Sequence, residues 1–238
     1  MSFGNVVRAI FVKDLVTEFR AKKVLAAMIM LGVLIAWIFR IATEASILDG
    51  SVTAAAVLLV GILFSAVLAS ERGFAVEQEN DCISALLLGS ADAGDIYIGK
   101  LLVNITLLCI FEIVSVPAVF VLFNAGVGRG WLQLIIVLLL INIGVSSVGT
   151  LLGCAVQGTR AGNSLLSILL LAILCPMMIP AIFALLLLFG AIGDNVLGIG
   201  VLALAGDFNT AIGFLAAFDA IFVTVCWLLF GFVAGEAA

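Results

Sequence analysis

The chain has 238 residues, of which 65% are hydrophobic and 11% charged, and a formal net charge of -5; its mean hydropathy is +1.41. A soluble domain usually runs about 45–50% apolar and about 25% charged, so lipid must be the solvent for most of this one. The composition excludes a second folded aqueous domain of any size, and the scattered charges form no basic patch for nucleic acid.

Residues 1–23 come first. Phe3, Val6, Val7, Ile10, Phe11, Leu15 and Phe19 recur at helical spacing, and Arg8, Lys13, Asp14, Glu18 and Lys22 lie mostly off that stripe. This predicts an amphipathic helix lying in the membrane interface. No cleavable signal peptide is evident, because the apolar run begins only near Val24 and is long enough to span.

A span needs about 20 apolar residues. Six stretches qualify: 24–43, 52–70, 101–123, 131–156, 164–192 and 211–234. The breaks are Glu44 to Ser51, the charged stretch 71–100, the glycine-rich turn Asn124 to Gly130, the polar turn Gln157 to Asn163, and 193–209. Pro176 and Pro180 are expected to kink the fifth span. Val196 to Ala205 is apolar but too short to cross, which predicts a re-entrant or interfacial segment. The fold class is therefore all-α integral membrane, a single transmembrane domain over 1–238 with six spans.

Orientation follows from the cations. With a cytoplasmic N-terminus, Arg8, Lys13, Arg20, Lys22, Lys23, Arg72, Lys100 and Arg160 lie inside and only Arg40 and Arg129 outside. That bias puts both termini in the cytoplasm.

Motifs for chemistry are scarce. The chain has no histidine, and Cys82, Cys109, Cys154, Cys175 and Cys226 make no CxxC pair, so no metal site is expected. Gly94 to Lys100 fits the opening of a phosphate-binding loop, but Leu101 stands where Ser or Thr would hold magnesium. Any ATP chemistry must then belong to a partner.

The stretch 71–100 reads as a cytoplasmic coupling segment. Glu71, Arg72, Glu77, Glu79 and Asp81 precede an apolar run containing Leu86 and Leu87, with Asp81 placed to cap a short helix that ends at Gly89. Such leucines bury either against the protein's own surface or against a docked partner.

Within the spans, Glu112 and Asp219 are costly and need a reason. Asn104, Leu108, Glu112 and Ser115 share one face of the third span; Asn142, Ser146 and Thr150, with Gly149 and Gly153, form a stripe on the fourth. Glu112 is expected to be neutral, or hydrogen-bonded to a group such as Asn142 or Ser146. A hydrogen bond between spans and a proton or substrate site both remain open.

The run Leu68-Ala69-Ser70-Glu71-Arg72-Gly73-Phe74, the acids through Asp81, Leu86-Leu87-Leu88 and Gly99-Lys100 resemble the CcmB family, the heme exporter membrane subunit of cytochrome c maturation. A second match is Arg160 followed by Ser164 to Leu169 and Pro176. The resemblance covers nearly the whole chain. It departs near Cys82, where the family often has glycine, and near Ser90 and Ala172, where it tends to have proline. It implies an ABC-2-like permease in the bacterial inner membrane, paired with a cytoplasmic ABC ATPase that carries the ATP. It also implies a heme-handling membrane partner and a homodimer in the complex, with heme as the candidate ligand transported or handled; the absence of histidine argues against stable axial ligation of heme by this chain alone. The competing reading is a stand-alone ion-coupled transporter using Glu112 or Asp219; an assembly scaffold without a transport cycle is a third.

Overall fold

The computed structural model describes residues 3–44, 49–78, 93–128, 130–156, 162–192 and 207–237. Seven helices occupy them: α1 (Phe3–Ala21), α2 (Lys23–Glu44), α3 (Gly50–Gln78), α4 (Ala93–Phe123), α5 (Trp131–Ala155), α6 (Gly162–Leu188) and α7 (Phe208–Ala237). No strand occurs among the described residues. Helices are the economical answer in lipid, because each satisfies its own backbone where no water can. α2 to α7 are six helices long and apolar enough to cross a membrane.

The ends of these helices are set by local chemistry. The Lys22 N–H donates to the Glu18 carbonyl at 2.7 Å, and Lys22 takes a left-handed φ of 54° between α1 and α2. The Glu18 carboxylate then accepts the Val24 N–H at 3.1 Å, so one side chain stops a helix and starts the next. Asp49 caps α3 by accepting the Ser51 N–H at 3.2 Å. α6 closes on Gly190, φ 68°: the Gly190 N–H reaches the Leu187 carbonyl and the Ala191 N–H the Leu186 carbonyl. That paired closure wants glycine at the left-handed position.

α5 is the pillar of the bundle, packing against α3, α4, α6 and α7. Its Val137, Ile141, Asn142, Val145, Ser147 and Thr150 are fully buried. α2 packs on α3 and α4. There Gly32 lets the Phe111 ring approach, since a Cβ at Gly32 would stand 2.6 Å from it. The outward faces carry Met30, Ile113, Val121, Leu132, Ile168, Leu228 and Phe232, all well exposed. Water would not tolerate so continuous an apolar surface, and lipid does.

α4 begins eight residues before the apolar run 101–123, so 93–100 is helical rather than part of a loop. Tyr97 and Lys100 are buried there. A second, smaller core gathers Ile10, Ile96, Tyr97, Leu101, Cys154, Cys226 and Phe230 at this end, with the Tyr97 and Phe230 rings 5.4 Å apart. α1 packs along α4, with Ile10 seated on Gly99. The amphipathic stripe thus buries Ile10 against protein and leaves Phe19 exposed. α6 runs from Gly162 to Leu188 as one helix through Pro176 and Pro180.

Candidate functional site

The polar residues of the spans collect along the seam between α4 and α5. The two helices run antiparallel, so residues pair from opposite directions. The Asn104 Nδ2 donates to Thr150 Oγ1 at 3.1 Å. Two turns along α4, the Asn142 Nδ2 donates to Glu112 Oε2 at 3.0 Å and lies 3.7 Å from the Cys109 sulfur. Tyr97 donates its hydroxyl to the Ser147 carbonyl at 3.4 Å. Each bond pins two helices in register, because the alternative is a polar group left alone in hydrocarbon.

Small residues make the approach possible. A Cβ at Gly149 would collide with the Ser70 hydroxyl of α3. A Cβ at Gly144 would stand 2.5 Å from Asp219 Oδ1 and 2.7 Å from the Met177 sulfur. Gly144 is therefore the notch that receives Asp219 of α7, with Met177 of α6 closing it. Glu112, Asn142, Met177 and Asp219 each fall near the middle of their spans. The result is a polar layer at mid-depth, with one carboxylate on each side of α5.

The two carboxylates are treated differently. Glu112 is 7% exposed and holds Asn142 through Oε2. Asp219 is 6% exposed, and neither of its oxygens has a hydrogen-bond partner among the described residues. Among the described residues, buried oxygens without partners also occur at Ser65, Ser115, Ser146, Glu112 Oε1 and Asn142 Oδ1. The carboxylate and amide oxygens only accept, and the serine hydroxyls both donate and accept, so these atoms can take a proton, a donor-bearing ligand or a water.

A second constellation lies where α1 meets α4. The Lys100 ammonium, 4% exposed, donates to the Asp14 carboxylate at 3.4 Å. Lys13 approaches the same carboxylate at 3.2 Å. Sequence spacing gave no sign of this pairing, because 86 residues separate the partners. Gly94 to Lys100 forms the first turns of α4, with Gly94 against the Trp227 indole and Gly99 against Ile10. No phosphate cradle exists there.

Of the coupling segment, Glu71 is visible: it accepts the Ser167 hydroxyl at 2.6 Å and joins α3 to α6. Arg72 and Glu77 belong to α3, with side chains outside the described set. Glu79, Asp81, Leu86 and Leu87, with the short helix expected to end at Gly89, lie outside the described residues, as do Arg129, Arg160 and the segment 196–205. Among the described residues no three of His, Cys, Asp and Glu gather to hold a metal.

The CcmB protein family model matches residues 5–226, from α1 into α7. The chain belongs to the CcmB family. The match takes in the α4–α5 seam, the Asp219 notch and the Asp14–Lys100 pair together. Membership in the CcmB family implies the membrane subunit of a heme exporter for cytochrome c maturation, and the six apolar helices make the chain a multi-pass membrane protein. No curated protein matches the chain.

Proposed function

We propose that this chain is the permease subunit of an ABC-type complex that exports or delivers heme for c-type cytochrome biogenesis. The energy comes from a separate cytoplasmic ATPase subunit. The family match over 5–226 carries this reading. The helical course of Gly94 to Lys100 supports it, because the one stretch that looked like a nucleotide loop is part of a span.

In this reading both termini face the cytoplasm of a bacterial inner membrane, as the distribution of Lys and Arg favours. The ATPase docks where α1 lies on α4 and along the segment that starts at Glu71. The acids Glu77, Glu79 and Asp81 meet basic partner residues, and Leu86 and Leu87 fill a groove. Two properties of the described residues suit such a seat. α1 is fastened to α4 by Ile10 and by the Asp14–Lys100 pair, and Glu71 is fastened to α6. A push on either would reach spans rather than dissipate in a loose loop. A pair of ATPase subunits would match two copies of this chain. A heme-handling membrane protein completes the complex, and heme is its cargo.

Deleting the gene should abolish holo-cytochrome c and leave b-type cytochromes intact. Normal heme attachment in a deletion strain with no second copy would end the reading. The competing function, a proton-coupled carrier, is favoured by the Asp219 carboxylate, buried in its span and without a hydrogen-bond partner among the described residues. Purification separates the two. The permease should bring an ATPase with it and need ATP, while a coupled carrier should respond to a proton gradient alone.

A further inference from the structure

The hydrogen bonds of the Glu112–Asn142 pair are incomplete in a telling way. Asn142 Nδ2 donates to Glu112 Oε2 at 3.0 Å. The other atom of each group, Glu112 Oε1 and Asn142 Oδ1, is buried and has no partner among the described residues. A carboxylate has only acceptors, and an amide oxygen is an acceptor too. Ionised, Glu112 would leave both orphaned at mid-membrane, each at a full desolvation cost. One proton removes both defects. A neutral carboxyl group can donate its O–H to the amide oxygen while its carbonyl oxygen accepts the amide N–H, closing a two-bond ring.

We infer that Glu112 binds a proton and forms a cyclic acid–amide pair with Asn142, a neutral clamp between α4 and α5. The surroundings agree. On α4 the neighbouring groups are the Cys109 thiol and the Ser115 hydroxyl, both uncharged in form. α5 offers Asn142 and Ser146, and α3 offers Ser65 within its span and Glu71 at the far end. α2 carries charge only at its ends, as Lys23, Arg40 and Glu44. α7 brings Asp219, an acid that would disfavour a second negative charge, on the other side of α5 at Gly144. The cation on α4 itself is Lys100, twelve residues and about 18 Å away along the helix, and it is engaged with Asp14 of α1. No group in this set compensates an ionised Glu112. The clamp is thus a proton-binding site whose occupant is structural, whereas Asp219 has no hydrogen-bond partner among the described residues.

Infrared spectroscopy of the full chain in lipid nanodiscs tests this without any mutation. Glu112 is the one glutamate inside an apolar run; Glu18, Glu44, Glu71, Glu77, Glu79 and Glu236 stand at helix ends or in polar segments. Protein carrying carbon-13 in its glutamate carboxyl groups should show an isotope-shifted carboxylic acid carbonyl band at neutral pH. That band should vanish in Glu112→Gln, whose amide keeps the shape and can still pair with Asn142. In Asn142→Leu the band should persist at higher frequency, since the carbonyl loses its donor. A label that shifts carboxylate bands alone would overturn the proposal. So would a labelled acid band that survives Glu112→Gln, or one unmoved by Asn142→Leu.

Discussion

The two sides of α5 meet the same physical problem and solve it differently. Toward α4, two pairs of polar side chains bond across the seam: Asn104 with Thr150, Glu112 with Asn142. Toward α7, Asp219 sits in a glycine notch beside a thioether, with both oxygens unpartnered among the described residues. The first side is built to hold, and its polar groups contribute to stability by satisfying one another. The second keeps a costly group without visible return in stability, as is expected of a group retained for what it does. Stability and activity should therefore separate across this helix.

The largest expected effect comes from filling the notch. Gly144→Leu should destabilise by about 3 kcal/mol, because the new side chain overlaps Asp219 and Met177 in a packed interior. Reversible unfolding in mixed micelles measures it. Adding Asp219→Ala should recover part of the loss, and no recovery would mean that Asp219 does not occupy the notch.

Next comes a direct contrast. Asn142→Leu should cost about 2 kcal/mol, since it leaves a buried carboxyl group without its donor. Asp219→Leu should be neutral or stabilising by the same assay, while impairing heme delivery to c-type cytochromes. Equal costs for the two would break the comparison.

A smaller effect sharpens it. A double-mutant cycle of Asn104→Leu and Thr150→Val should give a coupling of about 0.6 kcal/mol, the ordinary size for a hydrogen bond between spans. The smallest effect belongs outside the seam. The Arg40–Glu44 pair, at 2.8 Å with both side chains solvent-accessible, should contribute at most about 0.5 kcal/mol and fade with salt.

The spans were legible because lipid demands long apolar runs, and nothing subtler is needed to find them. The seam was legible in part because Asn104, Leu108, Glu112 and Ser115 are spaced for one helical face. The start of α4 was not. Asp95 and Lys100 look like loop residues in sequence, and Lys100 becomes an interior residue only through an acid on α1 that folding brings beside it. The notch was equally hidden. A glycine at 144 reads as one small residue among several until a carboxylate from α7 and a thioether from α6 arrive there. Local spacing reports the faces of one helix, and it carries no information on which distant helix will meet them.

The order in which α4 and α5 leave the ribosome gives their seam a further meaning. α4 enters the bilayer with Asn104 and Glu112 already in place, and the groups that satisfy them, Thr150 and Asn142, are still to be made. Thirty residues of synthesis separate Glu112 from its amide. During that interval the nascent chain carries an acid in hydrocarbon without the amide that later pairs with it, at a desolvation cost that the arrival of α5 relieves. A chain ending before Trp131 should be degraded rapidly, and one that includes α5 should persist.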